Sequence, residues 1–333
     1  MALFLNEKQV DELLSLKEAI DALEQPIREQ GLGLAFNKPR TIVKGGKGSV
    51  SVLPAAIPSI GSMGFKTYTV GPEGARFWLM LFAETGELQS LMESENISRI
   101  RTGAATAIAT KYMSRANSKV AAILGTGHHA PTQLEAVCAA RPIERVYAWS
   151  RTPANVVAFC EKMTRKLGIP VEPAPTARDA VREADIVTTI TSSMEPVLFG
   201  DWLRAGTHVN LVGAMKITCR EADSRVLERA DVLAVDDVEQ SKAEAAEFVL
   251  AVKEGKLKWQ DVLELSQVVA SDTPKRTSAD AITVFKSHGI GLWDVAAAAR
   301  VYQLAKRQSV GVHLPIEQPV VVLGGGDPSR IKV

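Results

Sequence analysis

One short segment has the residue types and the spacing that could bind a pyrophosphate. Residues 125–130 read Gly-Thr-Gly-His-His-Ala. In such a segment Gly125 permits a tight turn, Gly127 lets the backbone approach a phosphate, and Ala130 lets the following helix pack closely on the preceding strand. The helix N-terminus adds N–H donors and the positive end of its dipole. The segment therefore predicts a dinucleotide site, with a tight turn that binds nothing as the alternative.

The residues after the next apolar run favour NADP(H) over NAD(H). An Asp or Glu at the end of the second strand would bind the adenosine ribose 2′-hydroxyl directly. This chain has Trp149 followed by Ser150, Arg151 and Thr152, with no carboxylate to repel a phosphate. These three polar residues could form a small 2′-phosphate pocket. Arg151 could instead be a solvated residue at the start of a helix.

The elements that would position this segment alternate between strand and helix from Lys119 onward. Near-continuous apolar strands that alternate with helices are typical of a parallel, doubly wound sheet. The predicted strands are Val120–Leu124, Arg145–Trp149, Ile186–Ile190, His208–Val212 and Val232–Val235, with helices over Pro131–Ala140 and Pro153–Leu167. Residues 281–306 predict a turn and a helix that returns to the first part of the chain.

The first part of the chain has a different pattern. Glu7–Gln30 has apolar residues at helical spacing and predicts one or two amphipathic helices. Short β-favouring runs punctuated by Gly and Pro follow at Arg40–Val43, Ser49–Leu53, Gly64–Val70 and Phe77–Phe82, and they predict a mixed, largely antiparallel sheet. Ser98–Arg115 is rich in alanine and predicts a long helix. The glycines of 324–326 precede no helix pattern, so we expect a turn or a flexible end there.

Composition excludes several classes of protein. The 333 residues are 46% hydrophobic and 23% charged, with a formal net charge of +1, so no broad basic surface for nucleic acid or an anionic membrane is expected. No apolar stretch approaches the roughly 20 residues of a membrane span, and the N-terminus lacks the pattern of a signal peptide. We therefore expect a soluble cytoplasmic protein large enough for two domains.

Cysteine and histidine usage predicts no disulfide and no metal site. The three cysteines, Cys138, Cys160 and Cys219, are odd in number, far apart and without a CxxC motif. His128 and His129 have no metal-ligand spacing with His208 or His313.

Several segments together resemble the ornithine cyclodeaminase/mu-crystallin family. They follow one another in the family's order over about residues 40 to 300. These segments are Gly64-Phe65-Lys66, Arg101–Ala107, Lys111-Tyr112-Met113, Gly125–Ala136, Val212-Gly213-Ala214, Thr283–Gly289 and Asp294. The resemblance is specific for the family but not for the reaction, because its members include cyclodeaminases, alanine and arginine dehydrogenases, and imino acid reductases.

The resemblance implies a two-domain subunit in a homodimer. Residues 1–117 with 292–333 would form an α+β substrate-binding and dimerisation domain, and residues 118–291 a Rossmann dinucleotide-binding domain. Arg40, Lys66 and Arg101 match the family's substrate clamp. The cofactor-binding positions would be Thr102, Gly125, Thr126, Gly127, His128, His129, Ala130, Ser150, Arg151, Thr152, Thr191, Val212, Gly213, Ala214 and Met215.

The chemistry of the clamp residues supports these roles. An arginine can hold a substrate carboxylate through two parallel hydrogen bonds. A lysine near the reacting carbon can polarise or protonate the substrate, and a lone lysine in an apolar strand is rarely structural because its burial is costly. A loop surface charge is the alternative for Arg40, and a helix-surface salt bridge is the alternative for Arg101. Exposed loop residues with local hydrogen bonds are the favoured interpretation of His128 and His129.

Two positions depart from the family pattern. Met215 stands where the cyclodeaminases and alanine dehydrogenases have an acidic residue, and methionine cannot bind an amine or move a proton. His288 stands where an aliphatic residue is usual, close to substrate and nicotinamide. It could donate a proton, since histidine titrates near neutrality, or bind a polar substrate tail; a structural histidine is the alternative.

These departures favour a reductase. We expect NADPH-dependent reduction of an α-imino acid, such as Δ1-pyrroline-2-carboxylate, Δ1-piperideine-2-carboxylate or a linear imine, to the L-amino acid. Lys66 would be catalytic and His288 would assist, with Arg40 and Arg101 binding the carboxylate. The alternatives are an amino-acid dehydrogenase or cyclodeaminase, and a non-catalytic nucleotide-binding protein of the mu-crystallin type.

Overall fold

The computed structural model describes residues 2–318 and contains two separate sheets. The first has the strand order β16-β1-β7-β6-β5-β4-β2, with β3 also paired to β4. Its strands, numbered in chain order, are β1 (Leu3–Leu5), β2 (Phe36–Asn37), β3 (Thr41–Lys44), β4 (Ser49–Ile57), β5 (Ser62–Gly71), β6 (Gly74–Ala83), β7 (Leu88–Glu93) and β16 (Val312–His313). Among the strands described between residues 2 and 318, only β1 and β7 of this sheet pair in parallel, so the predicted mixed, largely antiparallel sheet is confirmed.

The second sheet is parallel throughout, in the order β10-β9-β8-β11-β12-β15-β13-β14. Its strands are β8 (Val120–Leu124), β9 (Arg145–Trp149), β10 (Val171–Pro173), β11 (Ile186–Thr189), β12 (His208–Leu211), β13 (Val232–Val235), β14 (Val262–Glu264) and β15 (Thr283–Lys286). The chain order reverses between β8 and β11, as in a doubly wound dinucleotide-binding sheet. The predicted fold class is confirmed.

Eleven α-helices connect and cover these strands within residues 2–318. They are α1 (Glu7–Leu13), α2 (Leu16–Gly31), α3 (Glu95–Met113), α4 (Ala130–Ala140), α5 (Pro153–Leu167), α6 (Ala177–Arg182), α7 (Ser224–Glu228), α8 (Val238–Glu244), α9 (Ala246–Lys253), α10 (Leu265–Ala270) and α11 (Gly291–Gln308). Each of α4 and α5 has a proline in its first turn, where the missing N–H costs nothing. None of them is long and apolar enough to cross a membrane.

Strand β15 corrects one prediction. The sequence predicts a turn and a helix over 281–306, whereas the structure has the central strand β15 followed by α11. Strand β15 is only four residues long, and its last residue, Lys286, is fully buried. A charged residue at the end of so short a segment hides the strand pattern.

Helices α3 and α11 connect the two sheets and place the central side chains. Helix α3 is buried on nearly all sides because alanine, glycine and threonine fill its middle, and it packs on α2, α4 and β12. Helix α11 follows β15 and packs on β4, β5 and β6 of the first sheet. The predicted glycine turn at 324–326 lies outside the described residues.

Candidate active site

Two of the predicted basic residues meet at one buried carboxylate. Lys66 extends from β5, Arg101 from α3 and Asp294 from the first turn of α11. Lys66 Nζ lies 3.3 Å from Asp294 Oδ1, and Arg101 Nε donates to the same oxygen at 2.8 Å. All three side chains are buried. The fold therefore joins two positive charges and one negative charge from three distant segments.

The environment of Lys66 lowers the pKa of its side chain. Burial lowers the pKa of the ammonium to about 7, because the charged form loses its hydration. This value also includes the charges of Arg101 and Arg40, which lower the pKa, and that of Asp294, which raises it. Lys66 Nζ also donates to Ser98 Oγ at 3.1 Å. A donor whose pKa is close to the operating pH is well matched to general acid catalysis.

Part of the Arg101 guanidinium is free to bind a ligand. Asp294 uses Nε, whereas Arg101 Nη1 is buried and has no hydrogen-bond partner among the described residues. Gly289 lies against the guanidinium, where a Cβ would overlap it, and its φ of +78° is one that glycine adopts without strain. Buried unpaired donors cost free energy. A carboxylate would pair with this donor in the geometry that arginine favours.

Arg40 is held by the protein itself. Its Nη1 lies 3.1 Å from Glu244 Oε2, and its Nη2 donates to the carbonyl oxygens of His288 at 2.8 Å and Gly289 at 3.3 Å. The side chain is only 6% exposed. Arg40 thus contributes positive potential beside Lys66, while fewer of its donors than those of Arg101 are available to a ligand.

An aromatic ring borders both cations. The Tyr68 ring centroid lies 5.9 Å from Lys66 Nζ and 5.9 Å from Arg40 Cζ. Lys66 and Tyr68 are two residues apart on β5, so their side chains share one face of the strand. The ring stacks on Phe77 of the neighbouring strand with centroids 5.4 Å apart.

His288 is a fully buried imidazole. Its Nδ1 lies 3.8 Å from Glu244 Oε2, and neither ring nitrogen has a hydrogen-bond partner in the described part of the chain. Burial, followed by the charges of Lys286 and Arg40, lowers its pKa well below the usual value. The expectation that His288 titrates near neutrality is therefore wrong. Contact with a polar substrate group stays a prediction.

A cleft of about 290 Å³ opens at the carboxyl ends of β8 and β11. Gly125–Gly127, Trp149–Thr152 and Thr191–Ser193 line it, and no Asp or Glu is among the lining residues within 2–318. Gly125 has φ +112°, and a Cβ there would overlap the Ile190 carbonyl. At Gly127 a Cβ would meet no protein atom within 4 Å. The cleft lies at the switch point of the sheet, where dinucleotides bind in this architecture.

Five other predicted cofactor residues follow β12 or begin α4, and within residues 2–318 they are not part of the lining of this cleft. Val212, Gly213, Ala214 and Met215 follow β12, with Gly213 packed against the Thr191 backbone and Met215 half exposed. Ala130 is buried at the start of α4.

Three other predicted cofactor residues already have partners in the protein. The Thr102 hydroxyl donates to the Ser98 carbonyl at 2.7 Å. His128 Nε2 lies 3.0 Å from Glu95 Oε1 and is largely exposed, and the His129 ring packs edge-on against it. A contact of these three residues with a cofactor stays a prediction.

Sequence reasoning missed the acidic residues that organise the site. Asp294 belonged to the resemblance but received no role, and Glu244 and Asp236 were not singled out. Asp236 Oδ2 accepts the backbone N–H groups of His288 and Gly289, each at 2.6 Å. An acidic residue in the otherwise apolar start of α11, or directly after the apolar β13, was the available signal.

Comparison with known proteins identifies related sequences. A sequence model of the ornithine cyclodeaminase/mu-crystallin family matches residues 1–309. A Δ1-pyrroline-2-carboxylate reductase of Bacillus cereus is 33% identical over 269 residues, 78% of this chain and 82% of that protein.

Two solved structures are similar over nearly the whole chain. The Thermococcus litoralis Δ1-pyrroline-2-carboxylate reductase with NADH and L-proline has a TM-score of 0.88 and 33% identity, and the match covers 94% of this chain and 100% of that one. An archaeal alanine dehydrogenase dimer with bound NAD has a TM-score of 0.87 and 32% identity, covering 93% and 98%. Sequence and structure thus agree that the chain belongs to the ornithine cyclodeaminase/mu-crystallin family.

Proposed function

We propose that this protein is an NAD(P)H-dependent reductase that converts an α-imino acid of the Δ1-pyrroline-2-carboxylate type into the L-amino acid. The observation that carries the proposal is the buried cluster of Lys66, Asp294 and Arg101. In it, a proton donor with a pKa of about 7 lies beside a partly unpaired guanidinium. Relatives from Bacillus cereus and Thermococcus litoralis that bear the name of this activity support the choice.

The site residues divide the work between binding and proton supply. Arg101 binds the substrate carboxylate through its free guanidinium nitrogens, and Arg40 adds positive potential. Lys66 Nζ donates a proton to the imine nitrogen, and burial favours the neutral amine that remains. A bound nicotinamide cofactor supplies the hydride that completes reduction at the imine carbon. Asp294 holds both cations in place, so positioning contributes strongly to the rate.

Met215 favours reduction over cyclodeamination. The residue lies in the segment that follows β12, and its side chain is half exposed. A thioether is at most a weak hydrogen-bond acceptor and cannot carry a proton. The chain therefore lacks, at this place, the acid that would bind a substrate side-chain amine.

A panel of imines tests the proposal. Purified protein is supplied with NADPH and Δ1-pyrroline-2-carboxylate, Δ1-piperideine-2-carboxylate, or pyruvate with methylamine, and cofactor oxidation is followed at 340 nm. We expect turnover of at least one imine well above pyruvate alone, and a loss of about 10²- to 10⁴-fold in Lys66→Met. Oxidation of L-alanine with NAD⁺ without imine reduction would instead indicate a dehydrogenase. Equal activity of wild type and Lys66→Met would contradict the role of Lys66.

The residues of the cleft fit a nicotinamide dinucleotide, and we propose NADP(H) as the preferred form. Gly127 leaves open space for the approach of a phosphate, and the backbone N–H groups at the start of α4 face the same end of the sheet. Ser150, Arg151 and Thr152 offer hydroxyl and guanidinium donors without a neighbouring carboxylate. We expect Arg151→Ala to raise KM for NADPH and to leave KM for NADH almost unchanged. A clear preference of the wild type for NADH would contradict the proposal.

We further propose that residues 1–117 with 292–333 form the substrate-binding and dimerisation domain and that 118–291 form the cofactor domain. Among the described residues, most of the large exposed apolar side chains lie in the first of these domains, among them Leu34, Phe36, Val43 and Val70. Contiguous exposed apolar surface marks interaction sites, and the similar archaeal alanine dehydrogenase is described as a dimer. Sedimentation of wild type and Phe36→Glu tests this: we expect a dimer and a shift to monomer, respectively.

A further inference from the structure

A buried carboxylate ties together the two loops beside the cofactor cleft. Glu221 Oε1 accepts the Thr191 backbone N–H at 2.6 Å. Its Oε2 accepts the backbone N–H groups of Gly213 at 2.7 Å and Ala214 at 3.1 Å, and the Thr189 hydroxyl at 2.8 Å. The side chain is fully buried. One residue therefore bonds the segments that follow β11 and β12, at the carboxyl edge of the sheet.

Lys286 and Glu247 complete this cluster. Lys286 Nζ, at the end of β15, donates to the Ala214 carbonyl at 2.6 Å and lies 3.7 Å from Glu247 Oε2. Glu247 Oε1 in turn accepts the Glu221 backbone N–H at 2.9 Å. Lys286 and Glu247 are also fully buried. The cluster thus forms hydrogen bonds with both the N–H group and the carbonyl group of Ala214.

The backbone is shaped to fit this arrangement. A Cβ at Gly213 would overlap the Thr191 backbone, so only glycine allows the two loops to approach so closely. Strand-end N–H groups away from water must find partners, and here one carboxylate supplies them. Burial of three ionisable side chains is costly, but a hydrophobic residue in place of Glu221 would leave the N–H groups of Thr191, Gly213 and Ala214 without this acceptor. The arrangement therefore points to a role in holding the two loops together.

We propose that Glu221, supported by Lys286 and Glu247, is a positioning residue that fixes the loops after β11 and β12 and so sets the affinity for the nicotinamide cofactor. This inference rests on the proposed function only in assuming such a cofactor. Glu221 does not line the cleft itself; Thr191, whose N–H it holds, does. Its effect therefore passes through the backbone of these loops.

The test compares Glu221→Gln, which affects the loop after β11, with a matched variant at the opposite end of β11. Asp185 precedes β11, and its carboxylate accepts two backbone N–H groups, those of Lys119 at 2.8 Å and Val120 at 3.0 Å. It is also paired with arginine side chains. Asp185→Asn therefore removes a comparable buried carboxylate far from the cleft, and it reports what a purely structural loss does.

Two readouts are taken without any imine. Hydrogen exchange of the cofactor-free protein follows the amides of Thr191, Gly213 and Ala214, and fluorescence titration gives Kd for NADPH and for NADH. In Glu221→Gln we expect these amides to exchange at least about tenfold faster and Kd to rise at least about tenfold, since the amide replaces one accepting oxygen with an NH2 group that cannot accept these hydrogen bonds. Asp185→Asn should lower the melting temperature while Kd stays within about twofold of wild type.

The outcomes separate the proposals. If Glu221→Gln keeps the wild-type Kd and loses only thermal stability, as Asp185→Asn does, the positioning role is overturned. Should Glu221→Gln fail to fold, Glu247→Gln and the paired variant Lys286→Met/Glu247→Gln decide by the same Kd criterion; the paired variant removes the Lys286 ammonium together with its Glu247 partner. A wild type that binds neither NADPH nor NADH overturns both this inference and the proposed function. Normal cofactor binding without imine reduction overturns only the latter.

Discussion

Replacing Asp294 with Asn should move the pH dependence of the enzyme in a defined direction. The active form carries the proton on Lys66, so kcat/KM should fall as pH rises through the Lys66 pKa, which is about 7. Asp294 is the neighbour that raises this pKa. Its neutral replacement removes the attraction but leaves burial and the charges of Arg101 and Arg40. The falling limb of the profile should therefore move to lower pH.

The separation of the charges gives the size of the shift. At the 3.3 Å between Lys66 Nζ and Asp294 Oδ1, Coulomb's law with an effective dielectric constant of about 20 gives roughly 5 kcal/mol. Arg101 shares the same oxygen and the site relaxes, so only part of this appears in the pKa. A shift of at least about one pH unit, equivalent to about 1.4 kcal/mol, is expected.

The assay is kcat/KM for one imine between pH 5.5 and 9.5 for wild type and variant, at saturating NADPH. Titration of the free imine is common to both profiles, so the difference between them reports the enzyme. Glu244→Gln is the control, because Glu244 pairs with Arg40 and not with Lys66; its limb should move much less. A limb that stays in place or moves to higher pH in Asp294→Asn would refute Lys66 as the proton donor.

Three further predictions follow from single contacts. Gly289→Ala forces an L side chain into φ +78° and against the Arg101 guanidinium, so KM for the imine should rise and the free energy of unfolding should fall by about 1–3 kcal/mol in urea titrations; unchanged KM would contradict the contact. Tyr68→Leu removes a ring face 5.9 Å from Lys66 Nζ, and the pH limb should move down by less than in the Asp294 variant. Burial lowers the pKa of His208 to about 3, whereas in the unfolded chain this histidine binds a proton below about pH 6.5. The free energy of unfolding should therefore fall by up to about 1.4 kcal/mol for each pH unit from 6.5 towards 3. Urea titrations of His208→Gln should show a weaker dependence on pH.

The sequence was most informative where local pattern and tertiary role coincide. The apolar strands of the second sheet and the glycine segment before α4 predict the Rossmann architecture, because buried parallel strands need near-continuous apolar runs. The family relationship is confirmed by the family model, which matches residues 1–309. The choice of an imino acid reductase agrees with the names of relatives from Bacillus cereus and Thermococcus litoralis. Strand β15 was missed, since its last residue is a lysine whose partners, Ala214 and Glu247, are distant in sequence.

The organisation of the site was less predictable than its basic residues. A lysine in an apolar strand is conspicuous, because burial of an unpaired ammonium is costly. Its partner Asp294 and the loop-binding Glu221 are acidic residues in segments that also suit a solvated surface. Only tertiary structure shows that their oxygens meet specific donors. The lowered pKa of His288 was equally hidden, since its burial arises from packing between segments.

The two halves of the site are positioned by different means. Lys66, Arg101 and Asp294 extend from a strand and two helices whose bodies are packed in the core, so their spacing follows from packing of α11 on β5 and α3. The second half of the site consists of the loops that follow β11 and β12 beside the cofactor cleft. The carboxylate of Glu221 accepts hydrogen bonds from the backbone of both loops. Substitutions in the core face of α11 should therefore disturb proton transfer before cofactor affinity, and substitutions around Glu221 should do the reverse. Measuring Kd for NADPH and the pH of the falling limb on the same set of variants separates these two effects, because the two halves should change these quantities in the opposite order.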